Sequence, residues 1–194
     1  MEKIKYYLIN VSQLVSVAVI GQLFSIMITP VLARLYSPEQ FGIYADILSY
    51  GTIAATVFNG RYDLALIESK SSSTSDSLIK ISLFIGLVCS SLLIILIGLL
   101  SFVIEDDSSK YLFVIIIGLV ISQISVINHY WNSIKKYKKL SLNRLIQSVA
   151  PNILLLIMAY IWNNPIGMLI SYSFGLLVII LVNIEIYYSA LKVN

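Results

Sequence analysis

The sequence has little charge and few of the residues that build catalytic or metal centres. Of its 194 residues only 12% are charged and 58% are hydrophobic, with one Cys and one His. Soluble domains carry about 25% charged residues, so a water-soluble domain, a disordered tail and a disulfide-rich secreted module are excluded. The lone Cys89 is interpreted as a packed thiol. Because metal-ligand spacing, glycine-rich phosphate loops and nucleophile motifs are absent, we expect no metal, no cofactor and no enzymatic activity.

Long uncharged segments are what the sequence does contain. A helix rises about 1.5 Å per residue and the hydrocarbon core is about 30 Å thick, so one span needs about 20 apolar residues. Dividing the chain at its charges, and at the turn signal Asn163-Asn164-Pro165, predicts six helices rather than membrane strands. The expected spans are residues 8–33, 40–60, 81–104, 111–133, 145–162 and 166–187. The predicted fold is all-α and integral to the membrane, with residues 1–194 forming a single six-helix lobe.

The distribution of basic residues predicts the orientation of these spans. With six spans both termini lie on one side, and every Lys and Arg except Arg34 and Lys110 lies on that side too. Short loops that carry Lys and Arg stay in the cytoplasm, so both termini are expected there. The basic run Lys135–Lys139 is thereby interpreted as a topological anchor. Contact with anionic lipid or pyrophosphate is the alternative.

Asp46, Tyr50 and Arg61 are the candidate residues for a polar passage. At about 100° per residue, the 15 steps from Asp46 to Arg61 amount to a net rotation of about 60°, so both are predicted to lie on one side of the second helix, with Tyr50 on the same side. A charge inside a span is costly and usually faces a cavity or a partner. Alternatively, Arg61 extends to the interface and Asp46 lies in a shallow outer loop. Arg61 and Asp63, two positions apart, are not expected to face each other.

Two other polar features have open interpretations. Gln22, Ser25 and Thr29 form a stripe on the first span that could pack against a neighbouring helix or line a path. His129, near the inner end of the fourth span, is interpreted as an interfacial side chain in preference to a proton relay.

Three elements, in order along the chain, resemble a signature of bacterial polysaccharide exporters. These exporters are the O-antigen flippase-like members of the multidrug/oligosaccharidyl-lipid/polysaccharide exporter superfamily. The elements are Thr29–Tyr44 with its Arg34-Leu-Tyr-Ser-Pro-Glu-Gln-Phe-Gly42 core, then Arg61-Tyr-Asp-Leu-Ala65, then the basic segment Lys135–Ser148. Ser37 and Pro38 are also N-cap and first-turn residues, which predicts a helix that begins near Glu39.

The resemblance implies a transport function. Such proteins move an undecaprenyl-pyrophosphate-linked oligosaccharide across the bacterial cytoplasmic (inner) membrane during synthesis of lipopolysaccharide O-antigen and other surface polysaccharides. The resemblance makes Arg61 the first candidate for contact with a diphosphate or sugar acid, and Arg34 a weaker candidate on the outer side. Asp46 is expected to pair with a cation or basic group, and Tyr50 to lie beside it. No nucleic-acid partner is expected.

The resemblance also implies a partner. Members usually have at least twice as many spans, arranged as two lobes around a cavity, so this chain looks like the N-terminal lobe alone. A second six-helix lobe or a second copy of the chain is therefore expected beside it, together with membrane lipids. Truncation of a longer protein is favoured over a split transporter or a homodimer.

Other functions are compatible with six spans. A drug or cation antiporter of the same superfamily would carry more carboxylates in mid-helix, where only Asp46 qualifies. A membrane-embedded polysaccharide polymerase needs acidic or basic catalytic groups, commonly in a large outer loop, but the outer turns predicted here are short. A scaffold subunit of an assembly complex agrees with the sequence equally well.

Overall fold

The computed structural model describes residues 2–68, 72–100 and 109–192. Within these ranges the regular structure is entirely helical, which confirms the predicted all-α class. In chain order the helices are α1 (Glu2–Leu35), α2 (Pro38–Phe58), α3 (Tyr62–Glu68), α4 (Ser72–Leu100), α5 (Ser109–Ser133), α6 (Tyr137–Ile161), α7 (Pro165–Val182) and α8 (Ile184–Lys192).

Six of the described helices are long and apolar enough to cross a bilayer. The candidate spans are Val15–Leu35, Pro38–Phe58, Thr74–Leu96, Tyr111–Ser133, Tyr137–Ile161 and Pro165–Val182. Their number agrees with the six-helix membrane bundle expected from the sequence. Large apolar side chains remain exposed on the outside of the bundle, as lipid requires.

Helix ends differ from the predicted ends because caps and turns, and not the nearest charge, terminate a helix. Helix α4 runs through Asp76 and Lys80, which were predicted to precede the third span. Helix α6 begins at Tyr137, so most of the basic segment expected to be a loop is helical. Asn183 divides the last predicted span into α7 and α8. Lys70, residues 101–104 and the predicted outer turn Glu105–Asp107 lie outside the described residues.

Two turns meet at one end of the bundle, here called the Ser37 end. Ser37 Oγ accepts a hydrogen bond from the Gln40 backbone N–H (3.2 Å), and Gln40 Oε1 accepts one from the Ser37 N–H (2.8 Å), which forms a capping box at the start of α2. Asn164 caps α7 by accepting a bond from Gly167 N (2.6 Å). Asn163 Nδ2 donates to Leu35 O (2.8 Å), which joins the two turns.

The helices alternate in direction as a chain that crosses a membrane repeatedly must. Helices α1 and α6 run parallel. A Cβ on Gly21 would touch Ser148, and further along both segments Tyr36 OH donates to Leu155 O (2.8 Å). Helices α2 and α5 are likewise parallel. The bonds that join α5 and α6 to the α7–α8 junction then define the opposite end, called here the Arg61 end, which also holds the Lys135–Lys136 turn.

The polar stripe on α1 is only partly used in packing. Asn152 Nδ2 of α6 donates to Ser25 Oγ (3.0 Å), so Ser25 lies against a neighbouring helix. Gln22 and Thr29 are exposed. The stripe therefore has one residue in a helix–helix contact and two on the outer surface of this bundle.

Helices α6 and α7 approach closely at Gly175, which lies against Pro151. A Cβ built on Gly175 would lie 2.5 Å from Pro151 Cα, a backbone atom that cannot move independently. The absence of a side chain at Gly175 therefore allows the two helices to pack at this separation.

Replacing Gly175 with Ala is expected to destabilise the bundle by about 1–3 kcal/mol through overpacking. Gly42→Ala is the matched control, because a Cβ at Gly42 meets no atom within 4 Å and Ala favours a helix by about 0.5–1 kcal/mol over Gly. Thermal unfolding of the purified variants in detergent checks both. An unchanged or higher midpoint for Gly175→Ala would contradict the close contact.

Candidate functional site

The sequence prediction that α2 continues through Arg61 is wrong. Helix α2 ends at Phe58, with Asn59 as its C-cap. Gly60 (φ 52°) and Arg61 (φ 60°) both have left-handed backbone, and α3 begins at Tyr62. This conformation is easy for glycine but uncommon for arginine. The turn therefore redirects the chain, and Arg61 has no fixed helical angle relative to Asp46.

A polar pocket of about 100 Å³ lies where this turn meets α2, α3 and α5. Seven of its nine lining residues have polar or charged side chains, and Arg61 and Asp63 are among them. The lining residues are Thr52, Ala55, Thr56, Asn59, Arg61, Asp63, Ile121, Ser122 and Ser125. Arg61 and Asp63 were not expected to face each other, because two positions on a helix point in different directions. Arg61 has left-handed backbone and is not helical, so both residues can line one pocket.

Asp63 is the most deeply placed charged residue of the pocket. Its side chain is only 5% exposed. Ser125 Oγ of α5 donates a hydrogen bond to Asp63 Oδ2 (2.6 Å), and His129 Nδ1 lies 3.3 Å from the same oxygen. Asn59 Nδ2 donates to the Ser122 carbonyl oxygen (2.8 Å), which holds the turn against α5. These contacts attach α3 and the turn to α5 through polar groups.

Two buried oxygen atoms in this region accept no hydrogen bond in the structure. They are Asn59 Oδ1 and Asp63 Oδ1. A buried acceptor without a donor costs about 1–3 kcal/mol, so such atoms usually have a functional explanation. Asn59 and Asp63 both contribute to the pocket lining, and the exposed Arg61 guanidinium beside them can bind an anion.

The other three predicted site residues do not join this pocket. Asp46 and Tyr50 lie on α2, and Tyr50 is 56% exposed. At about 100° per residue, Thr52 of the pocket is rotated about 240° from Asp46 and about 200° from Tyr50, so both lie on other sides of the helix. Arg34 lies near the Ser37 end, in an open groove of about 350 Å³ with Pro30, Val31 and Leu35. Only Arg61 of the predicted set contributes to the pocket.

Asp63, Ser125 and His129 are site residues that the sequence analysis did not select. The four-residue spacing of Ser125 and His129 places both on one face of α5, and Asp63 follows Arg61 in the motif. Neither signal shows that Asp63 contacts Ser125 and His129. That contact arises because α3 packs against α5, which brings together residues at least 62 positions apart.

The basic turn beyond α5 forms a second charged cluster at the Arg61 end. Lys139 Nζ lies 4.2 Å and Lys136 Nζ 5.3 Å from the Trp131 ring centroid, in cation–π geometry. Lys139 also contacts Glu185 of α8, and its ammonium group lowers the pKa of that carboxyl. Trp131 Nε1 donates to Asn183 Oδ1 (2.6 Å). The basic turn is therefore joined to the α7–α8 junction.

Comparison with known proteins identifies one family. A family model described as polysaccharide biosynthesis protein matches residues 7–194, which is nearly the whole chain. No curated protein and no solved structure matches. The family match confirms the resemblance that the three sequence elements indicated.

Arg61→Gly is expected to be more stable than Arg61→Ala by about 1 kcal/mol, because left-handed backbone strains an L-residue but not glycine. Arg144 on α6 provides the control. At a helical position the order of stability reverses, so Arg144→Ala is expected to be more stable than Arg144→Gly by about 1 kcal/mol. Thermal unfolding of the four variants tests this, and the same order at both positions would argue against the left-handed turn.

Proposed function

We propose that this chain, which belongs to the polysaccharide biosynthesis protein family, takes part in moving a lipid-linked (undecaprenyl-pyrophosphate) oligosaccharide across the bacterial cytoplasmic membrane. The observation that carries the proposal is the pocket at the Arg61 end, which is lined mainly by residues with polar or charged side chains and includes the exposed guanidinium of Arg61. Members of the family are generally transporters, so we assign the chain a transport role and no enzymatic reaction.

The physical need for such a pocket follows from the cargo. A diphosphate and a hydrated glycan lose their water in hydrocarbon, at a cost of several kcal/mol for each unpaired polar group. A guanidinium replaces part of that water, since its planar fork binds phosphate oxygens in pairs. In this proposal Arg61 contacts the diphosphate, the acceptors of Asn59 and Asp63 receive donors from the cargo, and the polyprenyl tail stays in lipid.

The distribution of charge supports loading from the cytoplasmic side. The pocket lies at the same end of the bundle as Lys135, Lys136 and Lys139. Basic turns favour the cytoplasmic face, so the proposed orientation has both termini and the pocket facing the cytoplasm. Lipid-linked cargo on the inner leaflet would then meet Arg61 first, and Arg34 would lie toward the outer surface.

A second lobe completes the proposed transporter. Ser49, Thr52 and Thr56 are exposed along α2. Polar groups that face lipid are unfavourable, and the three hydroxyls are satisfied only by carbonyls of their own helix. We therefore place a second six-helix lobe, or a second copy of the chain, against this surface, so that the pocket opens between two lobes.

Arg61→Ala is expected to reduce export on the order of tenfold or more, because a charge-assisted hydrogen bond contributes about 1.5–3 kcal/mol and about 1.4 kcal/mol is tenfold. Arg61→Lys should retain an intermediate rate, since an ammonium keeps the charge but loses the paired geometry. The assay is complementation of a deletion strain at equal protein abundance, with surface glycan and inner-leaflet undecaprenyl-linked glycan both quantified.

Arg144→Ala is the matched control for that experiment. Arg144 is an exposed arginine on α6 outside the pocket lining, so its loss should leave export near the wild-type rate. Full export by Arg61→Ala, or an equal loss in the Arg61 and Arg144 variants, would overturn the role of Arg61.

A further inference from the structure

The buried Asp63 carboxylate needs a positive counter-charge, and two groups can supply it. Removing an unpaired carboxylate from water costs several kcal/mol even after relaxation. Arg61 lines the same pocket and carries a permanent charge. His129 lies 3.3 Å from Asp63 Oδ2 and is charged only when it binds a second proton. Arg61 and a proton on His129 are therefore alternative counter-charges for one carboxylate.

His129 has the surroundings of a proton acceptor. Its side chain is 25% exposed, whereas the side chain of Asp63 beside it is only 5% exposed. Ser125 Oγ donates to Asp63 Oδ2 and lies 3.3 Å from His129 Nδ1, which gives the three side chains a fixed arrangement. Histidine is the side chain whose ordinary protonation equilibrium lies near neutral pH, so a small change in nearby charge alters its proton occupancy.

Other charged and titratable groups on the surrounding helices are Glu68 of α3, Asp76 and Lys80 of α4, Tyr130 of α5 and Tyr187 of α8. In the part of the chain that the structure describes, the Asp63 carboxylate accepts a hydrogen bond from Ser125 and lies 3.3 Å from His129 Nδ1. The experiment below leaves these other groups unchanged in its principal variants.

We propose that Asp63 and His129 form a proton-binding site that is coupled to anion binding at Arg61. When a phosphate oxygen engages the Arg61 guanidinium, less positive charge is available to Asp63, and the imidazole of His129 accepts a proton from a solvent hydronium ion, leaving water. Proton binding and anion binding then strengthen each other by the same factor, because linkage between two sites is reciprocal. The identity of the anion rests on the proposed function, whereas the coupling between Arg61 and His129 does not.

The chain has one histidine, which allows a direct test. Protein labelled with ¹³C-histidine and purified with a histidine-free tag gives a single imidazole signal, whose pH titration reports His129 alone. We expect Arg61→Ala to raise the titration midpoint by about one pH unit, because a neighbouring positive charge is removed. Asp63→Asn should lower it by a similar amount, because the stabilising negative charge is lost. Undecaprenyl pyrophosphate should raise the titration midpoint of His129 in wild-type protein and leave it unchanged in Arg61→Ala.

Arg144→Ala is the control and should leave the midpoint unchanged. Equal midpoints in wild-type protein and Arg61→Ala would overturn the coupling, even if Asp63→Asn does not fold. That result would leave the export experiment on Arg61 unaffected. Conversely, a midpoint raised by Arg61→Ala together with full export by the same variant would support the coupling and reject the proposed cargo contact. If the lipid diphosphate raises the midpoint equally in wild-type protein and Arg61→Ala, the anion does not act through Arg61 and the proposal fails.

Discussion

The Arg61 end of the bundle depends on how the negative charge of the buried Asp63 carboxylate is compensated. A bilayer provides no water to a buried charge, so the protein must supply donors and counter-charges from its own helices. Ser125 and His129 of α5 contact Asp63 directly, and the left-handed turn before α3 places Arg61 in the same pocket. The short helix α3 is thereby attached to the C-terminal part of α5, a spanning helix, through polar contacts. The same contacts create a pocket that still has unpartnered acceptors.

The transport proposal and the proton proposal use different parts of this arrangement. Export requires that the Arg61 guanidinium bind an anion at the rim, with the acceptors of Asn59 and Asp63 inside. Proton coupling requires only that Arg61 and His129 influence the same carboxylate. Because the guanidinium is always charged and the imidazole is not, the proton occupancy of His129 can change when an anion binds at Arg61. In these two proposals the pocket combines a permanent cation that binds cargo with a second group whose charge responds to that binding.

Sequence reasoning succeeded where local chemistry decides the structure. Ser37-Pro38 and Asn164-Pro165 supply caps and fixed backbone angles, so the turns at the Ser37 end were predictable, and the length of the uncharged segments predicted six spans. It failed at Gly60 and Arg61, because a helical wheel assumes right-handed backbone and a non-glycine residue with positive φ leaves no periodic signal. The contact of Asp63 with His129 was also beyond reach, since it arises from helix packing between distant segments.

The proposed function depends most on a cytoplasmic position of Arg61, in a chain that crosses the membrane six times. Its most direct test is accessibility of an Arg61→Cys variant in a Cys89→Ser background, which leaves a single thiol. A membrane-impermeant maleimide should label this thiol in inverted membrane vesicles and leave it unlabelled in intact cells with a permeabilised outer membrane. Labelling from the outside of intact cells would contradict the orientation, the loading side and the role of Arg61 together.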